Sequence, residues 1–139
     1  MGKIVVGVDG SDRAKRALEW AIEEARLRDA VVEAVYAWSY PYVGTIPSAM
    51  VIDFEQVEAN ARDTLEAAVG QVDAGDIAVE HALVHGGAAQ ALVERGQDAD
   101  LVVVGSRGLG GFTGLLLGSV SHQVTHHAPC PVVVVPHEE

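Results

Sequence analysis

The feature that most constrains the fold is a series of short apolar runs, rich in valine, that alternate with stretches of helical spacing. Residues 101–104 and 132–135 contain no polar residue, and such runs are typical of strands buried on both faces of a sheet. Between the runs, apolar residues recur every three or four positions, as on one face of an α-helix. The alternation predicts an α/β fold: an open, five-stranded, mostly parallel sheet with helices on both faces.

The individual elements follow from the same pattern. Ser11 is the predicted N-cap of the first helix, because its hydroxyl can accept a hydrogen bond from the first turn. The predicted strands are residues 3–8, 30–38, 77–84, 101–104 and 131–135. The predicted short helices are residues 88–95 and 119–127. The apolar face of the first helix is Ala14, Ala17, Leu18, Ala21, Ile22 and Ala25, and that of the second is Phe54, Val57, Ala61, Leu65, Ala68, Val69 and Val72.

Length and composition indicate a single soluble domain over residues 1–139, since 49% of the residues are hydrophobic and 21% are charged. No apolar run reaches the roughly 18 residues that a membrane-spanning helix needs, and we expect a cytoplasmic chain without a membrane partner. The single cysteine, Cys130, forms no intrachain disulfide, which fits a reducing compartment. A formal net charge of −11 disfavours nucleic acid as a partner.

A glycine-rich segment follows the predicted fourth strand and precedes the last helix, with six glycines between positions 105 and 118. Backbone N–H groups in such a segment can converge on a phosphate, and the helix dipole adds to the attraction. The glycines could instead be simple turn formers, although a turn needs fewer. In a sheet of this class, ligands bind beyond the carboxyl ends of the strands, where the strand order reverses. If strands one and four are neighbours, Asp9 and Gly105 border the same cleft.

Other nucleotide and catalytic motifs are absent from the sequence. It contains neither G-x-G-x-x-G nor G-x-x-x-x-G-K-(S/T), which disfavours a conventional dehydrogenase or P-loop ATPase. No nucleophile stands beside a legible base. His122 and His126 have the two-histidine helical spacing of zinc proteases, but Gln123 replaces the catalytic glutamate and no third ligand is evident. The sequence therefore identifies no catalytic residue and no metal ligand among the side chains.

Several motifs together point to one family. Gly105, Gly108, Gly118 and Ser119 satisfy the pattern G-x2-G-x9-G-(S/T), the chain opens with V-G-V-D-G-S, and it closes with A-P-C-P-V-V-V-V-P. From end to end the chain resembles the universal stress protein family, in its ATP-binding branch. The resemblance implies a Rossmann-like, adenine nucleotide alpha hydrolase-like fold. It also implies ATP as the ligand, with Mg²⁺ or another divalent cation on the phosphates.

The resemblance also implies the roles of individual residues. Asp9 would reach the ribose and adenine side of the nucleotide, with Gly7 on the cleft wall, and the backbone of Ala37 would bond the adenine edge. Asp9 could alternatively be a turn residue, and an exposed arginine such as Arg107 is usually solvated surface. The ribose and phosphates would lie along Gly105, Arg107, Gly108, Gly110 and Gly111, and the outer phosphates would meet Gly118, Ser119, Val120 and Ser121.

The implied function is that of an ATP-binding regulatory protein of the stress response. One alternative is a slow ATPase or a phosphate-transfer protein that modifies Ser119, Ser121 or a bound partner. Another is an interaction protein whose ligand only stiffens the cleft. The last strand, Val132–Val135, is apolar throughout, and an unprotected sheet edge of this kind invites pairing. The resemblance implies a homodimer joined through that strand.

Overall fold

The computed structural model describes residues 2–39, 53–106 and 118–136. Each boundary lies close to its predicted position because Gly, Pro or a capping side chain punctuates the chain there. The strands are β1 (Gly2–Gly7), β2 (Ala30–Trp38), β3 (Val79–His85), β4 (Leu101–Gly105) and β5 (Val132–Val135). The helices are α1 (Asp12–Arg28), α2 (Phe54–Gly70), α3 (Ala88–Arg95) and α4 (Ser119–His127), and a 3-10 turn (Gly96–Asp98) follows α3.

The five strands form one sheet in the order β3-β2-β1-β4-β5, and all four strand pairs are parallel. The sheet therefore grows outward in one direction from β1 through β2 to β3, and then in the opposite direction through β4 to β5. Because parallel crossovers are right-handed, this reversal sends α1 and α2 to one face and α3 and α4 to the other. The predicted α/β class, with helices on both faces, is confirmed.

Two apolar clusters fill the space between the sheet and its helices. All six residues of the predicted α1 stripe are at most 7% exposed, and five of them, all except Ala14, belong to the cluster under α1 and α2. The cluster under α3 and α4 is smaller and includes Leu92 and Val124. Ser11 is the N-cap of α1, as predicted, and its Oγ accepts from the N–H of Ala14 at 3.2 Å. No helix in the described ranges is long and apolar enough to cross a membrane.

The structure departs from the sequence predictions in two elements. Only Ala61 and Leu65 of the predicted α2 face are buried, and Phe54 at the helix start is 49% exposed. The helix covers the edge strand β3 and its neighbour, so its first turn extends past the sheet. The third strand begins at Val79 rather than at residue 77, because the N–H of Ile77 closes a turn onto the carbonyl of Ala74.

One carboxylate is buried within the sheet. Glu33 on β2 is 4% exposed, and Arg95 at the end of α3 donates to both of its oxygens, from Nε at 2.7 Å and from Nη2 at 2.6 Å. The Nζ of Lys3 lies 3.6 Å from Oε2. The hydrogen bonds from Arg95 outweigh the cost of burial, so the pKa of Glu33 is lowered from its ordinary value. The ionised carboxylate thereby holds α3 on the sheet.

This ion pair makes stability depend on pH. Because the pKa of Glu33 is lower in the folded than in the unfolded chain, its contribution is fully present above the unfolded value of about 4.3 and is lost as the pH falls through the folded value. We expect Arg95→Ala to cost about 1–2 kcal/mol at about pH 7, since the Arg95 side chain is 44% exposed and partly screened. At a pH low enough to protonate Glu33 in the folded chain, the same variant should cost much less, as measured by urea unfolding.

The matched control is Arg28→Ala, which removes an exposed pair between Arg28 and Glu24. We expect it to change the free energy of unfolding by less than about 1 kcal/mol at either pH. An equal cost of Arg95→Ala at both pH values would show that Glu33 does not supply the pH dependence.

Candidate functional site

The reversal of strand order places two predicted site residues at the same rim. β1 and β4 are hydrogen-bonded neighbours whose last paired residues are Val6 and Val103. Gly105 ends β4 and Asp9 follows β1 by two residues, so both lie just beyond this pair at the carboxyl edge of the sheet. Strands one and four are neighbours in the sheet, so the condition under which Asp9 and Gly105 would share a cleft is met.

Asp9 is held by the turn that leads into α1. Its Oδ1 accepts a hydrogen bond from the N–H of Ser11 at 2.9 Å and another from the Ser11 hydroxyl. Gly10, between them, has a φ of +84°, a conformation that glycine adopts without strain. The turn fixes the carboxylate at the rim and uses part of its capacity, but a carboxylate has about four lone-pair sites and can accept further bonds.

The two ends of the glycine-rich segment meet at the neighbouring rim position. The carbonyl of Ser106 accepts from the N–H of Gly118 at 2.7 Å, and the N–H of Ser106 donates to the carbonyl of Val135 at 2.9 Å. Ser106 thus joins the ends of β4 and β5 to the start of α4. Four of the predicted site residues, Arg107, Gly108, Gly110 and Gly111, lie outside the described residues.

The first turn of α4 presents its backbone amides at this rim. Gly118 is the N-cap and has no side chain with which to cap the helix, whereas Ser11 and Asp53 cap α1 and α2. The first intrahelical bond runs from the N–H of His122 to the carbonyl of Gly118 at 2.9 Å. Helix geometry therefore leaves the three preceding N–H groups without an intrahelical acceptor, and together they form a positive helix end. These amides belong to Ser119, Val120 and Ser121.

The two serines of this turn have different surroundings. Ser119 is exposed, whereas Ser121 is 3% exposed and its hydroxyl donates to the carbonyl of Gly105. That bond ties α4 to the end of β4. The Ser121 side chain therefore has a structural role, and its backbone N–H is one of the three amides without an intrahelical acceptor.

Packing accounts for two of the predicted site glycines. A Cβ added at Gly105 would lie 3.2 Å from the carbonyl oxygen of Arg13, because the first turn of α1 rests directly on the end of β4. A Cβ added at Gly7 would lie 3.0 Å from Cδ1 of Leu92 on α3. Both glycines let a helix approach the sheet closely at the rim. The sequence pattern could not distinguish this packing requirement from a role in ligand binding.

Ala37 lies where the ladder between β1 and β2 stops. The last bond of that ladder runs from the N–H of Val8 to the carbonyl of Val35 at 2.9 Å. Since peptide groups two residues apart along a strand face the same side, the N–H and carbonyl of Ala37 face β1 one step beyond this bond. Their position is at the rim, above the gap that opens where β1 ends.

The sequence reasoning did not include Arg13, which the structure brings to the rim. Its backbone contacts Gly105, and its buried Nε makes no hydrogen bond within the described part of the chain. The sequence did contain a signal for Arg13. The first turn of α1 must begin at the edge where β1 ends, and Arg13 lies two residues after the N-cap Ser11. Arg13 adds a positive charge four positions after Asp9 in the sequence.

Gly105→Ala tests how closely α1 approaches the sheet. The new methyl group would meet backbone atoms of Arg13, which cannot turn aside as a side chain can. We expect thermal or urea unfolding to show a loss of about 1–3 kcal/mol. Gly70→Ala is the control, because a Cβ there meets nothing within 4 Å and should leave stability equal or up to about 1 kcal/mol higher. Equal stability of both variants would contradict the close approach.

Comparison with known proteins identifies the family of the chain. The model of the Universal stress protein family matches residues 1–136. Universal stress protein Rv2005c of Mycobacterium tuberculosis is 41% identical over 133 residues, which cover 94% of this chain and 44% of the relative. The chain thus spans less than half the length of this relative.

Two solved structures share the fold and carry a small ligand. A universal stress protein in complex with cAMP is 32% identical, has a TM-score of 0.63, and is matched over 96% of this chain and 95% of its own. The universal stress protein from Archaeoglobus fulgidus in complex with dAMP is 28% identical with a TM-score of 0.59, over 97% and 98% of the two chains. With a family match along almost all of its length, the chain belongs to the universal stress protein family.

Proposed function

We propose that the chain binds an adenine nucleotide at the carboxyl rim of β1 and β4, and that the physiological ligand is ATP. The observation that carries the proposal is the meeting of an acidic turn, a free strand-end backbone and an uncapped helix start at one reversal of strand order. Two relatives with the same fold were solved with cAMP and with dAMP. Both ligands are adenine nucleotides, so the adenine base is a part that they share with ATP.

Each part of the nucleotide has a matching group at the rim. The N–H and carbonyl of Ala37 offer one donor and one acceptor to the adenine edge, and the carboxylate of Asp9 can accept from a ribose hydroxyl. Gly7, at the end of β1, has no side chain and so leaves room at the wall of the cleft. The amides of Ser119, Val120 and Ser121 point at the place where phosphates would lie. The glycine segment after Gly105 would complete the cradle with Arg107, Gly108, Gly110 and Gly111.

A divalent cation is part of this proposal. A chain with a net charge of −11 repels a free nucleotide triphosphate, and Mg²⁺ on the phosphates lowers the charge that must be brought in. Among the described residues, the local positive groups at the rim are the helix end of α4 and Arg13, and the proposal adds Arg107 as a further cation. The affinity should therefore depend on both salt and Mg²⁺.

Gly118→Val tests the placement of the phosphates. The backbone of Gly118, with φ −72° and ψ 168°, lies in the region that residues with side chains adopt. Because Gly118 is buried, circular dichroism must show that the valine variant keeps its fold. We expect calorimetry to show ATP affinity reduced by at least about tenfold, equal to about 1.4 kcal/mol. AMP should lose less, because its single phosphate depends less on the amides that bind the outer phosphates.

Gly87→Val is the matched control for this variant. Gly87 is also an uncapped N-cap glycine, with φ −76° and ψ 144°, and a Cβ there meets nothing within 4 Å. It starts α3, away from β4, and should leave ATP binding unchanged. Normal ATP affinity in Gly118→Val would show that the phosphates lie elsewhere, and no binding of any adenine nucleotide to the native chain would end the proposal.

The two serines considered for self-modification differ in their exposure. The hydroxyl of Ser121 is buried and donates to Gly105, whereas Ser119 is exposed at the helix start. Self-modification would therefore occur on Ser119. Turnover of labelled ATP, compared between the native chain and Ser119→Ala, separates a slow enzyme from a protein that only holds and exchanges its nucleotide.

We further propose that residues 1–139 form one domain, and that the chain is cytoplasmic, works as a homodimer and reports nucleotide state in the stress response. β5 lies at the edge of the sheet, beside β4, and three of its four valines are only half-buried. Pro131 and Val135 direct peptide groups to β4, since the Pro131 carbonyl accepts from Val102 and the Val135 carbonyl from Ser106. Alternation then turns the peptide groups of Val132 and Val134 outward, toward a second copy.

Val134→Pro removes one outward N–H without removing a bond to β4. Proline is tolerated on edge strands, so the chain should fold while the paired edge is lost. Analytical ultracentrifugation should show a dimer for the native chain at micromolar concentration and a monomer for the variant. A native monomer under those conditions would contradict pairing through β5.

A further inference from the structure

One motif of the sequence is left unused by nucleotide binding. His122 and His126 lie on α4, one turn apart, and both side chains are exposed. Residues four apart on a helix are neighbours on its surface. The two imidazole rings contact each other edge to face, with centroids 4.5 Å apart and an interplanar angle of 69°. The helix thus presents two imidazoles side by side to solvent.

We propose that His122 and His126 form a two-histidine site for a divalent transition-metal ion on the exposed face of α4. Imidazole nitrogen is a preferred ligand of Zn²⁺, Cu²⁺ and Ni²⁺, at about 2.0–2.1 Å for Zn²⁺. Rings in contact can each turn one nitrogen toward a shared ion with small rotations about their side-chain torsions. Within residues 2–39, 53–106 and 118–136, no group of three or more His, Cys, Asp or Glu side chains is arranged around one ion. Water therefore completes the coordination.

The electrostatic surroundings favour a cation at this position. His126 and His127 lie in the last turn of α4, where the helix dipole carries its negative end. The chain has a net charge of −11, which raises the local concentration of dications around it. His127 is adjacent to His126 in sequence, and its ring centroid is 6.3 Å from that of His126. Consecutive helix positions do not face each other, so His127 is not a ligand.

The site is distinct from the proposed nucleotide cleft. The helix start that faces the rim consists of the N–H groups of Ser119, Val120 and Ser121, whereas the imidazoles lie in the following turns. Metal binding to the histidines needs no nucleotide, so a test without nucleotide fails or succeeds independently of the proposed ATP site.

Calorimetric titration of the untagged, nucleotide-free chain with NiCl₂ tests the site. We expect saturable binding of one ion, with affinity reduced by about 100-fold in both His122→Ala and His126→Ala, because each removes one arm of a chelate. His127→Ala is the matched control, since it removes an imidazole from the same exposed helix, and its affinity should stay within about twofold of the native value.

Far-UV circular dichroism checks that each variant keeps its helices. Three results would overturn the proposal: no saturable Ni²⁺ binding to the native chain, native affinity in either His122→Ala or His126→Ala, or an equal loss in His127→Ala. The last result would show a diffuse affinity of the histidine-rich helix rather than a site formed by one pair.

Discussion

The hydrogen-bonded pairing of β1 with β4 is the constraint on which the rest of the site depends. This pair is the point where the sheet stops growing toward β3 and starts growing toward β5. The connections on either side must therefore leave by opposite faces, and a crevice opens between them. Asp9, Ala37, Gly105 and the start of α4 lie at this carboxyl rim because β1, β2 and β4 end there.

Much of the fold could be predicted from the sequence because its strands are continuous apolar runs and its helices have one clear stripe. The stripe of α1 is buried as predicted because this helix lies over the centre of the sheet. Phe54 belongs to the apolar face of α2 but is 49% exposed, since periodicity reports which residues share a helical face but not which of them are covered. The sequence did not establish that strands one and four are neighbours, although the prediction of a shared cleft depended on it. The pairing of β1 with β4 shows that they are.

The site was harder to predict from the sequence than the fold, because one residue type can serve either packing or ligand binding. The motif marks Gly105 and Gly7 as ligand-facing, yet the structure also gives each a packing reason, against Arg13 and Leu92. Ser121 likewise carries a buried hydroxyl bond to the backbone that no spacing reveals. Arg13 was missed because a basic residue in a helix looks like ordinary surface until the helix start is placed at the rim.

Ser106 bonds through its N–H to the end of β5 and through its carbonyl to Gly118. The scaffold on either side of residues 107–117 is therefore fastened together independently of what lies between. Because lengthening a chain segment whose ends are already held together costs little free energy, insertions and substitutions within residues 107–117 should leave the sheet and α4 in place. The sequence of that stretch can therefore diverge while the thermal stability of the fold is inherited almost unchanged.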